Sequence, residues 1–169
     1  KDLPALDAVI NNAGMSTPGI DALDPLTEEP TARLVALNLL APARLIQACK
    51  YAIKPHARIV NVASGAALRA IPARGLYSPS KAGLLEQTLA LAQAYPDWTV
   101  TALSPGFVRT ELVQQLLDGG QLDVDQALAK IPLGRLAEPW EIAQALIFLA
   151  TQSPHLMSGQ NLSLCGGSS

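Results

Sequence analysis

The stretch RIVNVA at residues 58–63 begins with Arg58 and continues as an apolar run interrupted only by Asn61. Residues 77–94, YSPSKAGLLEQTLALAQA, have the length and composition of a helix, and WTVTAL at 98–103 is a second short run of strand-forming residues. A strand, a helix and another strand form the unit from which parallel sheets are built. The first run is almost continuously apolar, so we expect helices to cover both faces of its sheet.

The same alternation extends in both directions from this unit. Apolar spacing predicts a strand at Ala5–Ile10, a helix at 31–51 and a last strand at Asn161–Cys165. Shorter helices are predicted at 110–117 and at 139–150, the latter with a proline at its start. No repeat or linker divides the sequence. It therefore predicts a single α/β domain over residues 1–169.

Composition excludes several classes of protein. With 49% hydrophobic and 15% charged residues the chain is not expected to be disordered, and its net charge of −2 without a basic run argues against nucleic-acid binding. No stretch approaches about 20 consecutive apolar residues, so we expect no membrane partner and a cytoplasmic location. Cys49 and Cys165 lack CxxC spacing and the two histidines are isolated, so neither a disulfide nor a metal site is predicted.

The clearest chemical signal is the pair Tyr77 and Lys81. Residues four apart at the start of a helix lie one turn above each other on the same face. A phenol has a pKa near 10, and a nearby ammonium lowers that pKa by favouring the phenolate, so the tyrosine can act as an acid or a base. The alternative is an unremarkable pair of surface side chains.

Two further polar groups follow predicted strands. Ser64 comes directly after the strand at 58–63, at the edge where open α/β sheets bind ligands. Asn11, Asn12, Ala13 and Gly14 follow the first strand, and their small side chains allow a ligand close to the backbone. Ordinary turn residues are the alternative interpretation at both places.

Two candidates remain. Asn38 lies within a helical pattern, where its side chain needs a partner or else marks a cap or a kink. The segment from Pro105 and Gly106 to Val108 and Thr110 follows the third strand and opens a helix. Its backbone groups and the Thr110 hydroxyl could hold an amide-bearing ligand.

These elements, in this order, resemble the short-chain dehydrogenase/reductase family. The matching positions are NNAG at 11–14, Asn38, Ser64, Tyr77 with Lys81, Pro105-Gly106 with Thr110, and SGQNLSLCGG at 158–167. The resemblance implies a three-layer, Rossmann-type, doubly wound parallel sheet and an oxidoreductase that uses NAD or NADP to interconvert a secondary alcohol and a ketone.

The resemblance also implies the roles of individual residues. Asn38, Ser64, Tyr77 and Lys81 would form the catalytic tetrad, with Lys81 on the nicotinamide ribose and Asn38 holding a water in a proton relay. The cofactor would be bound by Tyr77 and Lys81 and by residues of two turns, namely Asn11, Ala13, Gly14, Pro105, Gly106, Val108 and Thr110. Val108 and Thr110 would contact its carboxamide.

Two features depart from the family pattern. The glycine-rich TGxxxGxG turn that binds the pyrophosphate, and the residue that selects NAD or NADP, are not in this sequence, so we expect N-terminal strands to be missing ahead of Lys1. Cys165 stands where an aspartate is frequent. A non-catalytic fragment or binding module that cannot hold the dinucleotide is therefore the alternative function.

Two structural expectations follow. The helix at 77–94 is apolar almost all round, so we expect it to pack with helix 31–51 against a second copy, giving a homodimer or homotetramer. The apolar strand at Ala5–Ile10 is expected to have one edge without a partner in this chain.

Overall fold

Four parallel strands form the centre of the molecule. The computed structural model describes residues 4–16, 28–69, 75–120 and 123–168. The strands are β1 (Leu6–Asn11), β2 (Ile53–Val62), β3 (Thr99–Pro105) and β4 (Asn161–Leu164). They lie in the order β1-β2-β3-β4, and each neighbouring pair is parallel. All four carboxyl ends therefore meet at one edge of the sheet.

Helices connect the strands. A long helix comprises α1 (Glu28–Val35), a π-helical turn (Ala36–Leu40) and α2 (Ala41–Cys49), and α3 spans Tyr77–Ala94. The C-terminal part contains α4 (Glu111–Asp118), α5 (Val124–Ala129) and α6 (Pro139–Thr151). The α/β prediction is confirmed.

Adjacent residues of β2 show that the sheet is covered on both faces. Ile59 belongs to a core cluster that includes Ile46 of α2, whereas its neighbour Val60 belongs to a cluster with Ile142 and Leu149 of α6. Successive side chains of a strand point to opposite faces. Helices therefore pack on each side of the sheet, and the predicted three-layer arrangement is present.

Element bounds differ from the predicted ones mainly at β2. This strand begins at Ile53 rather than Arg58, because Ile53 pairs with Leu6 before the register jumps to Arg58 opposite Ala8. His56 has a φ of 62° in the intervening bulge. The extension contains Pro55 between Lys54 and His56, so the apolar pattern of the sequence did not indicate it. The bounds of α3 match those predicted, while α5 lies in a stretch that the sequence left unassigned.

One edge of β1 has no strand partner among the described residues. β1 pairs with β2 on its other side, and Ile10 is 41% exposed although it is a strand residue. The expectation of an unpaired edge is confirmed for this part of the chain.

The segment Glu29–Cys49 is long and apolar enough to cross a membrane by length and composition, a property that core helices of soluble proteins share. Its residues Leu34, Asn38, Ile46 and Cys49 are buried within the protein. These buried positions place one face of the segment against the rest of the fold.

Candidate active site

The π-helical turn and α3 pack unusually closely. A Cβ atom on Gly83 of α3 would lie 2.9 Å from Cδ1 of Leu39, so a larger residue would require the Leu39 side chain to shift. The Gln87 amide donates a hydrogen bond of 3.0 Å to the Leu39 carbonyl. π-Helical turns widen a helix by one residue and are frequent at functional sites. This turn presents Asn38 to the carboxyl edge of the sheet.

Asn38 is fully buried and connects two segments. Its Oδ1 accepts from the backbone N–H of Met15 at 2.9 Å, and its Nδ2 donates to the Met15 carbonyl at 2.8 Å. The same Nδ2 also donates to the Ser80 hydroxyl at 3.2 Å. Asn38 therefore fixes the turn after β1 relative to the first turn of α3.

Lys81 carries its ammonium into the protein. The residue is 4% exposed, and its Nζ donates to the Val62 carbonyl at 2.8 Å. Burial lowers the pKa of Lys81 from its ordinary value of 10.5 to about 8. Among the described residues no carboxylate forms an ion pair with this ammonium. Its charge is thus available to a ligand.

Gly14 lies where Asn38 and Lys81 meet. A Cβ atom at this position would be 3.1 Å from Lys81 Nζ and 3.3 Å from Asn38 Oδ1. The structure therefore brings the NNAG turn, the π-helical turn and the Tyr-Lys helix to a single point.

Tyr77 is the first residue of α3 and is half-buried. Its carbonyl accepts a hydrogen bond of 2.7 Å from the Ser80 hydroxyl. Within the described part of the chain, the hydroxyls of Tyr77 and Ser64 share no hydrogen bond. The Ser64 Oγ instead accepts from the Ala66 N–H at 3.1 Å and caps a short 3-10 turn, Gly65–Ala67.

The segment after β3 borders the same edge. A Cβ atom on Gly65 would lie 3.3 Å from the Pro105 carbonyl, and one on Gly106 would lie 2.9 Å from Cα of Cys165. Gly106 also donates its N–H to the Leu164 carbonyl at 2.9 Å. Glycine at 65 and 106 therefore lets three strand ends approach one another.

Val108 and Thr110 lie further along this segment. Val108 forms an isolated parallel bridge with Ala137, which anchors the segment to the turn before α6. The Thr110 Oγ1 accepts from the Val113 N–H at 3.3 Å, at the start of α4. Its hydroxyl proton remains a possible donor to a ligand.

Asn11 has a structural partner rather than a free amide. Its Nδ2 donates to Asn61 Oδ1 at 2.7 Å, and Asn61 Nδ2 donates to Thr88 Oγ1 at 2.9 Å. This chain links β1, β2 and α3 in the core. Ala13, two residues beyond Asn11, is exposed.

Three contributors were not predicted from the sequence, namely Ser80, Gln87 and Thr88. Ser80 and Thr88 share the buried face of α3 with Leu84 because they recur every four residues. Polar residues on a helix face that must be buried require partners, and this signal could have identified both.

A cavity of about 280 Å³ lies beside the segment after β3 and not at this site. Its lining includes Phe107, Ile131, Trp140 and Cys165. None of Asn38, Ser64, Tyr77 or Lys81 lines it.

Comparison with known proteins identifies the family. The profile of a family described as Enoyl-(Acyl carrier protein) reductase matches residues 1–169. An uncharacterized short-chain type dehydrogenase/reductase of Sinorhizobium fredii is 40% identical over 99% of this chain and 31% of its own length. A 3-oxoacyl-[acyl-carrier-protein] reductase of Thermotoga maritima is 32% identical over 96% of this chain and 65% of its own length.

A solved structure gives the same result. The angucycline C-6 ketoreductase LanV with bound NADP is 28% identical and superposes with a TM-score of 0.86, covering 97% of this chain and 63% of that one. The chain thus spans less than two thirds of the length of each of these three proteins. Because the family profile matches the whole of the sequence, the chain belongs to the short-chain dehydrogenase/reductase family.

Proposed function

We propose that this chain is a single domain holding the catalytic and C-terminal part of an NAD(P)-dependent oxidoreductase, which transfers hydride between nicotinamide and a secondary alcohol or ketone. The observation that carries the proposal is the Lys81 ammonium, one turn beyond Tyr77, which is buried and pairs with no carboxylate in the described part of the chain. Burying a charge is costly unless a partner compensates it. A nicotinamide ribose and a tyrosine phenol are partners of suitable chemistry.

The residues present are consistent with such a cofactor. The Val62 carbonyl uses one of the three donors of the Lys81 ammonium, which leaves two for ribose hydroxyls. Gly14 has no side chain, so a ligand can approach Lys81 where a Cβ atom would otherwise stand. Backbone groups of Pro105 and Gly106, together with Val108 and Thr110, would bind the carboxamide. Nicotinamide, when bound, supplies the hydride chemistry.

Each tetrad residue has a distinct task in this proposal. Tyr77 exchanges a proton with the substrate oxygen, and Lys81, one turn further along α3, binds the ribose hydroxyls of the cofactor. Ser64 orients the substrate oxygen with its hydroxyl proton, because its oxygen already accepts from Ala66. Asn38 holds the π-helical turn in place and so positions a water for the proton relay.

The names of relatives support a ketone as substrate. The Thermotoga protein is named a 3-oxoacyl reductase and LanV a ketoreductase. Acetoacetyl-CoA, a soluble 3-oxoacyl thioester, is therefore a suitable first probe, followed by apolar ketones and secondary alcohols.

Replacing Tyr77 by phenylalanine tests the proposal. We expect turnover of the probe to fall by at least about a hundredfold while cofactor affinity, measured by tryptophan quenching with NADH and NADPH, changes little. Lys81→Ala should impair both quantities. Turnover by the Tyr77→Phe protein close to that of the wild type would contradict the assigned role. An absence of cofactor binding by the purified wild-type protein would favour a non-catalytic binding module.

We also propose that the protein forms a homodimer or homotetramer through helices 31–51 and 77–94. In the single chain, α3 is buried on one face only, which carries Ser80, Lys81, Leu84 and Thr88. A second copy of the chain would be needed to bury the apolar residues on its other faces. Leu40, Leu45 and Leu89 are each 40% to 48% exposed. Light scattering should give at least twice the chain mass, and a stable monomer would refute this.

A further inference from the structure

Ser80 joins two of the candidate tetrad residues through its hydroxyl. The side chain is 3% exposed, donates to the Tyr77 carbonyl at 2.7 Å and accepts from Asn38 Nδ2 at 3.2 Å. Serine hydroxyls in helices frequently bond to a carbonyl one turn earlier, and such a bond alone is only local structure. The second bond differs because it reaches 42 residues back along the chain to another helix.

The backbone of Met15 determines which groups donate and which accept in this series of hydrogen bonds. Asn38 Oδ1 faces the N–H of Met15 and its Nδ2 faces the Met15 carbonyl, so turning the amide over would oppose donor to donor and acceptor to acceptor. The group that reaches Ser80 is therefore an N–H₂ donor, and the Ser80 oxygen must accept from it. The hydroxyl proton is then free to bond to the Tyr77 carbonyl.

The bond from Ser80 to the Tyr77 carbonyl lies at the start of α3. Leu76, the residue that caps α3, provides no side-chain cap, and Tyr77 is the first helical residue. The first N–H groups of a helix lack intrahelical partners, so its first turn frays readily, and a bond to the Tyr77 carbonyl restrains this turn without satisfying any of those groups. The Ser80 hydroxyl connects this turn to Asn38, which is itself fixed to the turn that contains Gly14 and Met15.

We propose that Ser80 is a positioning residue that holds the Tyr77 backbone in register with Asn38 and Lys81 during catalysis. The inference rests on the proposed oxidoreductase function. Ser80 touches neither substrate nor cofactor in this arrangement. Its removal should therefore reduce turnover more than ligand binding.

Ser78 provides a matched control. It lies in the same helical turn, and its buried hydroxyl has no hydrogen-bond partner among the described residues. Ser78→Ala thus makes the same chemical change as Ser80→Ala without removing a hydrogen bond to any described residue. Ser80→Thr retains a hydroxyl at position 80 and tests rescue.

The experiment compares kcat and KM of the wild type and the three variants with NADPH and acetoacetyl-CoA. If the wild type does not reduce acetoacetyl-CoA, an apolar ketone that it does reduce takes its place. For Ser80→Ala we expect kcat to fall about tenfold or more, with KM for NADPH changed less than about threefold. Ser78→Ala should match the wild type, and Ser80→Thr should recover most of the lost kcat.

The outcomes separate this inference from the proposed function. If the wild type is active and Tyr77→Phe is not, but Ser80→Ala keeps the wild-type kcat, the role of Ser80 is refuted while the function stands. Equal losses in Ser78→Ala and Ser80→Ala would also refute it, because they would report general loosening of the helix start. A wild type that neither binds NADPH nor reduces any ketone would overturn both proposals.

Discussion

Replacing Lys81 by methionine should change how the stability of the protein depends on pH. Burial lowers the pKa of Lys81 from 10.5 to about 8 in the folded state, whereas the unfolded chain retains the ordinary value. Between these two values the unfolded state binds more protons than the folded state. The free energy of unfolding of the wild type therefore rises with pH through this window.

The size of the effect follows from the two pKa values. At pH 7 the charged lysine costs the folded state about 3 kcal/mol, since each pKa unit corresponds to 1.36 kcal/mol. Raising the pH from about 7 to about 9.5 should restore on the order of 2 kcal/mol of this cost. Methionine has a similar length and no charge, so the Lys81→Met protein lacks this contribution at every pH.

Urea unfolding of both proteins, without cofactor, measures the difference. Groups that titrate in both proteins contribute equally to the two free energies of unfolding. Their contributions cancel in the difference, which leaves that of Lys81. Over this pH range we expect the free energy of unfolding of the wild type to rise by on the order of 2 kcal/mol more than that of Lys81→Met. The lost hydrogen bond to the Val62 carbonyl should shift the difference at all pH values, without creating this slope. Parallel pH profiles would refute the burial of a charged Lys81.

Two further substitutions test the surroundings of Lys81. Gly14→Ala places a methyl group 3.1 Å from Lys81 Nζ, so affinity for NADPH by tryptophan quenching should fall about tenfold while the free energy of unfolding changes by less than about 1 kcal/mol. Undiminished affinity would remove Gly14 from the proposed binding site. Asn61→Leu leaves the Asn11 amide without its partner and removes the hydrogen bond that Thr88 accepts, although Thr88 still donates to the Leu84 carbonyl, and urea unfolding should show a loss of about 2–4 kcal/mol. A loss below about 0.5 kcal/mol would show that water replaces the buried contacts.

The layered α/β fold was predictable because its signals are local. The continuous apolar strand at β2 implied cover on both faces, and the bounds of α3 follow from the helical pattern between Tyr77 and Pro96. The early part of β2 was not predictable, since residues such as Pro55 and His56 pair across a bulge that only the neighbouring strand specifies. Helix α5 is short and lies in a polar stretch, so no periodicity marked it.

The candidate site shows the same division between local and distant information. The spacing of Tyr77 and Lys81 places both on one helix face, and the position of Asn38 in a helical pattern indicated a side chain in need of a partner. Its actual partners, Met15 and Ser80, lie 23 and 42 residues away. Local patterns in a single sequence do not reveal which distant groups meet, so these contacts became visible only in the fold.

The proposed role of Lys81 implies a balance between stability and function. A buried ammonium that pairs with no carboxylate of the described residues is unfavourable for folding, yet in the proposed role it can bind hydroxyl groups of a ligand only while it remains in that position. Two bonded amides fix the backbone that Lys81 contacts. Asn38 holds the turn after Gly14, and Asn61, bonded to Asn11 and Thr88, precedes the Val62 carbonyl that accepts from Lys81. Such networks are favourable when their members have partners. In the proposed role these bonded neighbours would hold the unfavourable charge of Lys81 at the position where it binds the cofactor.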